Sequence, residues 1–165
     1  MVSPKRPAVT EIVCHFGFQA SRSFTGANLC SSMWGNRDEG PGEKTLHNYL
    51  WAAREALPPG VLSDGRSGAY TLNARINSGW RQFAVVVAQV DNTTGEQSSK
   101  FLAQALALVR GVAFTAAKGA RGSSYEWAST SGLLYEIERK VEDTAHRLAI
   151  LSGQTGDIEA AVFAI

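Results

Sequence analysis

The sequence predicts a mainly α chain in which three helices and a β-hairpin are followed by paired helices. Three observations predict it. Apolar residues recur at three- and four-residue intervals over most of the 165 residues. One Asp-Gly turn, Asp64-Gly65, lies between two short β-like runs. From Ile76 onward no strand pattern interrupts the helical one.

Residues 1–9 are polar and carry Pro4 and Pro7, which predicts a loose leader. Thr10–Ala20 places Ile12, Val13, Phe16 and Phe18 at near-helical spacing and predicts the first helix, which SRSF then breaks. Thr25 is an N-cap for a second short helix through Trp34. Gly35–Gly42 (GNRDEGPG) reads as a loop. In Glu43–Leu57 the stripe Leu46, Leu50, Ala53 and Leu57 predicts a third helix, stopped by Pro58-Pro59-Gly60. Val61–Ser63 and Ala69–Leu72 then form the hairpin.

Past Ile76, Trp80, Phe83, Val87 and Val90 make one helical stripe. Leu102, Ala105, Leu106 and Val109 make a second, ended by Gly111. Gly119–Ser124 reads as a loop, and Leu133, Ile137, Val141, Ala145 and Leu148 make a third stripe. Ser152–Asp157 (SGQTGD) predicts a tight connection into a last helix, Ile158–Ile165. Antiparallel helices joined by short turns are the unit of helical solenoids, and a single such unit leaves an apolar face uncovered. An uncovered last helix bearing Ala160, Ala161, Val162, Phe163 and Ile165 predicts either dimerisation through that end or poor solubility.

Sixteen Lys and Arg against fifteen Asp and Glu give a net charge of +1, a thin excess for a nucleic-acid binder. It is unevenly held: residues 1–76 carry +2 and residues 77–165 carry −1. The two cysteines, Cys14 and Cys30, lie in apolar helical stretches and read as free core thiols. No two His or Cys residues have metal-ligand spacing, and no cofactor is expected. No apolar run approaches the roughly 20 residues that cross a bilayer, and no signal-peptide core follows the N-terminus. The expectation is a cytoplasmic chain with no membrane partner.

Three helices followed by a β-hairpin is the order of a winged helix-turn-helix, whose third helix enters the major groove while the hairpin reaches the adjacent backbone. The segments MWG, KTLHNYLWAAREAL and DGRSGAYTLN resemble the winged helix of the Streptomyces antibiotic regulatory protein family. The later stretch, FLAQALALVRGVAF and YEWASTSGLLYEIERKVEDTAHRLAILSGQTGDIEAAVFAI, resembles that family's bacterial transcriptional activation domain, built from repeats of tetratricopeptide type. The resemblance covers about residues 10–165. It implies a DNA-binding region over 10–75 and a tetratricopeptide-like region over 76–165. It further implies a transcriptional activator that binds double-stranded DNA and contacts the transcription machinery or a second copy of itself, as a homodimer.

On that resemblance Lys44–Leu57 is the recognition helix, with Lys44 and Thr45 at phosphates and His47, Asn48, Trp51 and Arg54 facing the groove. Arg66 is the hairpin's backbone contact, and Arg22 is a further basic candidate. The chain departs from the family pattern in four ways. Trp51-Ala52-Ala53-Arg54 stands where arginines usually cluster, Ala69 stands where Gly usually precedes the Tyr, and the family's opening sheet is absent or reduced to the leader. The helical region stops after roughly one repeat pair, where relatives continue, so the chain is expected to be shortened or part of a longer regulator.

Plainer readings stand beside these. His47 is equally a solvated helix residue, and a Trp placed as Trp51 is more often part of a core or interface than a sugar contact. His15, among apolar residues, reads as a satisfied core histidine, and His146 as the partner of Glu142 on a helix surface. Glu136, Glu138, Glu142 and Asp143 interleave with Arg139, Lys140 and Arg147 as a solvated helix face does. With no phosphate loop or nucleophile constellation, no enzyme is expected. The alternative to a DNA binder is a protein-interaction or dimerisation module of a larger regulator that has lost DNA binding.

Overall fold

The computed structural model describes residues 7–19, 23–35, 42–73, 78–114 and 125–156. Over these the chain is mainly helical, with a two-stranded sheet. The described residues divide into two units. Those up to Ser78 pack with Phe114 and residues 125–131, and Gly79–Ala113 packs with residues 132–156. The sequence reading assigned residues 114–131 wholly to the second region; their described part joins the first unit.

Helix α1 spans Pro7–Phe18. It starts three residues before the expected Thr10, because a proline fits the first helical position, where its missing N–H would be unbonded anyway. Ala8, Val9, Ile12 and Phe16 bury one side of it. The SRSF segment, expected only to break the helix, contributes strand β1, Ser23–Phe24. Helix α2 follows as Gly26–Trp34, with the Thr25 hydroxyl oxygen accepting from the Asn28 N–H at 3.2 Å, as its capping position predicts.

Helix α3 spans Glu43–Ala56 and buries the expected stripe: Leu46, Leu50 and Ala53 are at most 1% exposed. After Pro58 the chain turns into the hairpin. Leu62 bridges Leu72 antiparallel, Ser63 N–H donates to Thr71 O at 3.0 Å, and Asn73 N–H donates to Val61 O at 2.8 Å. Strand β2, Tyr70–Thr71, also pairs antiparallel with β1, Ser23 opposite Thr71 and Phe24 opposite Tyr70. The second arm of the hairpin is therefore held both by its first arm and by the segment between α1 and α2. Val9, Ile12, Phe16, Leu29, Met33, Leu46, Leu50, Leu62 and Leu72 form one continuous core beneath these elements.

The short helix α6, Glu126–Thr130, belongs to this unit. Trp127 is 2% exposed and stands edge-on to His15, ring centroids 4.9 Å apart. Phe24 meets the same imidazole at 5.0 Å and Phe16 at 5.3 Å, so α1, β1 and α6 share one aromatic cluster.

The second unit contains α4 (Gly79–Val90), α5 (Glu96–Leu106) and α7 (Leu133–Thr155). Val90, Leu102 and Leu148 are its buried centre. Two expectations are corrected. Helix α5 ends at Leu106, and Val109, expected on its stripe, is 37% exposed beyond a pair of tighter turns. Helix α7 runs through the expected Ser152 break to Thr155. Ser152 lies one turn after Leu148 on the buried side, 1% exposed, and that packing outweighs the weak helix preference of Ser152 and Gly153. The helix stops at Gly156, whose φ of 75° suits glycine. The expected 119–124 loop, the last helix 158–165 and most of the 35–42 loop lie outside the described residues.

Candidate nucleic-acid interface

Helix α3 carries most of the candidate residues. At about 100° per residue, Lys44, His47, Asn48, Trp51, Arg54 and Glu55 fall within an arc of about 120°, opposite Leu46, Leu50 and Ala53. Lys44, His47 and Asn48 are exposed, and Trp51, near the middle of the arc, keeps 57% of its surface in solvent. Thr45 lies about 60° outside the arc and is half-buried. Lys44, His47, Asn48 and Trp51 thus make one solvent-facing stripe along α3.

The hairpin takes hold of two of these groups, Arg54 and His47, and pairs its own Arg66. The Arg54 guanidinium, half-buried, donates to the Ser63 carbonyl at 3.3 Å. Arg66 lies 3.0 Å from the Asp64 carboxylate, whose other oxygen accepts from the Arg66 N–H. The Tyr70 hydroxyl lies 3.3 Å from Nδ1 and 3.4 Å from Nε2 of His47, and the two rings meet edge-on. Arg22 lies outside the described residues.

Lys44 and Arg54 stand about 15 Å apart along the helix, so the positive charge is spread rather than focused. Glu55, exposed at the end of the arc, and Asp64 offset part of it. Sequence reasoning missed Ser63, Asp64, Glu55 and Tyr70. Asp64 had a local signal, two residues before Arg66 in a turn, and Glu55 follows from the helical period of α3; Ser63 and Tyr70 depend on the hairpin folding back against α3.

Elsewhere in the first unit, polar groups lie buried in the core. His15 is fully buried and shares a hydrogen bond of 3.0 Å between its Nε2 and the Ser32 hydroxyl, while its Nδ1 has no partner among the described residues. Burial pushes its pKa down to about 4. Burial also pushes the Cys14 thiol up, against a hydrogen bond with Tyr125 that lowers it, and nearby Glu11 raises it further. Such a thiol stays protonated at neutral pH and is a poor nucleophile. Cys14 and Cys30 are both free.

On α7 the acidic run is exposed and partly ion-paired, Glu136 with Lys140 at 3.2 Å and Asp143 with Arg139 at 3.8 Å. His146 is exposed on the same helix. Among the described residues no cluster of three His, Cys, Asp or Glu could hold a metal, and no helix is long and apolar enough to cross a membrane. No known family model, curated protein or solved structure matches the chain.

Proposed function

We propose that the first unit binds duplex DNA as a winged helix-turn-helix and that the second is a tetratricopeptide-like platform for protein contact. Together they make a transcription regulator of the Streptomyces antibiotic regulatory protein type, acting in the cytoplasm. One observation carries the reading: α3 presents Lys44, His47, Asn48 and Trp51 to solvent along one stripe beside the hairpin. The pairing of β1 with β2 supports it, because a strand between the first two helices that joins the hairpin is the connectivity of a winged helix. In this reading α3 lies in the major groove, Lys44 and Thr45 approach phosphates near the helix start, and Arg66 reaches the backbone from the hairpin. The α4–α5 pair and α7 support a helical-repeat reading of the second unit, whose partner is the transcription machinery or a second copy.

The test is fluorescence anisotropy with duplex DNA across a salt series, comparing the native chain with Lys44→Ala and Arg66→Ala. Binding that weakens with salt, and weakens further in each variant, supports DNA recognition, because counterion release dominates such affinity. Arg54→Ala is a poorer probe, since it also removes the bond to Ser63.

A second reading has its own observation. The exposed part of Trp51 would gain about 2–3 kcal/mol on burial against a protein, and both nearby arginines already have partners. Salt-insensitive self-association that Trp51→Ala abolishes, with no DNA binding at low salt, would establish that reading instead.

A further inference from the structure

The stripe on α3 has a chemical bias. A guanine-reading surface presents guanidinium or ammonium groups to the O6 and N7 of guanine, and the one lysine of the arc, Lys44, stands at the helix start, where the reading above gives it to phosphate. Here the Arg54 guanidinium is turned onto the Ser63 carbonyl, and Arg66 is in the hairpin against Asp64. Between Lys44 and Arg54 the exposed positions of the arc are His47, Asn48 and Trp51. His47 is engaged edge-on by Tyr70. That leaves one amide and one large apolar ring, three residues apart on the same face.

Those two groups match one kind of base pair. A carboxamide can donate to N7 and accept from the N6 amino group of adenine, and an apolar side chain packs on the C5 methyl of thymine. Three helical residues rise about 4.5 Å, close to the roughly 3.4 Å between stacked base pairs, so the two side chains reach neighbouring pairs. Glu55, the carboxylate of the same arc, stands one turn beyond Trp51, in the last turn of α3.

We propose that α3 selects A·T pairs through the major groove, with Asn48 reading adenine and Trp51 reading the thymine methyl group of an adjacent pair. This rests on the DNA-binding reading above. It assigns Asn48 and Trp51 to specificity and leaves Lys44 and Arg66 with phosphate attraction.

The experiment uses the full chain and three duplexes of identical length whose cores are A·T, G·C or inosine·C. Inosine·C keeps the minor groove of A·T but presents the major-groove atoms of G·C. A fourth duplex replaces the core thymines by uracil, which removes only the methyl group. The expected result is binding to A·T about tenfold tighter than to both G·C and inosine·C. Uracil should lose part of that preference in the native chain and none in Trp51→Ala, and Asn48→Ala should lose the discrimination against inosine·C. Both side chains are exposed, and an unchanged circular dichroism spectrum will verify that each variant is folded. Equal binding to A·T and inosine·C, or a preference for G·C, overturns this inference while leaving DNA binding in place. Binding to no duplex at low salt overturns both.

Discussion

The carboxylate of Glu11, 1% exposed on α1, accepts a hydrogen bond of 2.8 Å from the backbone N–H of Tyr125. The two residues are 114 positions apart. Tyr125 itself sits at a φ of 52°, a conformation that non-glycine residues seldom adopt, immediately before α6. The bond anchors the returning segment that carries Trp127 onto the aromatic side of α1.

Glu11→Ala should therefore destabilise the first unit by about 1–3 kcal/mol, the usual cost of removing a buried acceptor from its donor. Glu11→Gln, which retains a carbonyl oxygen, should lose less. Urea unfolding followed by tryptophan fluorescence measures both, and equal midpoints for Glu11→Ala and the native chain would show that the bond contributes nothing.

Acid should weaken the fold through His15. Its pKa is about 4 in the folded chain against an ordinary 6.5. The unfolded chain binds the proton first as pH falls, so this contribution is complete above about pH 6.5 and is lost progressively down to about pH 4. The gap amounts to on the order of 3 kcal/mol. Thermal melts should show stability falling between pH 7 and pH 5, and a shallower fall in His15→Gln. An equal slope in the variant would assign the effect to other groups.

Gly65→Ala should damage the hairpin. Gly65 has a φ of 78°, and a Cβ there would overlap the Tyr70 ring. The strain of that backbone plus the displaced ring should cost about 2 kcal/mol or more. Because Tyr70 also touches His47, the substitution should disturb α3 as well, read as a changed His47 imidazole signal by NMR.

In the second unit apolar burial should outweigh ion pairing. Leu148 is fully buried with Val90 and Leu102, and Leu148→Ala should cost about 2–5 kcal/mol. The Arg147–Asp91 pair, 3.5 Å apart and well exposed on both sides, should contribute less than about 1 kcal/mol, so Asp91→Asn should barely move the melting temperature.

What was legible in the sequence was local. Thr25 marks its helix because a cap acts over three residues, and Leu46, Leu50 and Ala53 mark α3 because burial repeats with the helical turn. The exposed stripe from Lys44 to Trp51 follows from the same periodicity. The two residues of β1 carry no pattern of their own; Ser23 and Phe24 become a strand through Thr71 and Tyr70, nearly fifty positions on. Trp127 read as part of a distant helical region, because nothing local announces that its ring closes against His15. The capture of Arg54 by Ser63 and of His47 by Tyr70 was hidden for the same reason.

The return of Tyr125–Ser131 to the first unit has a consequence for biosynthesis. At roughly 5–20 residues per second, a ribosome that has made Glu11 needs on the order of 6–23 s to reach Tyr125. During that interval the imidazole, Phe16 and Phe24 lack the indole that finally covers them, and the whole of α4 and α5 is made before it arrives. The aromatic cluster of the first unit is therefore completed only after α4 and α5 have been made.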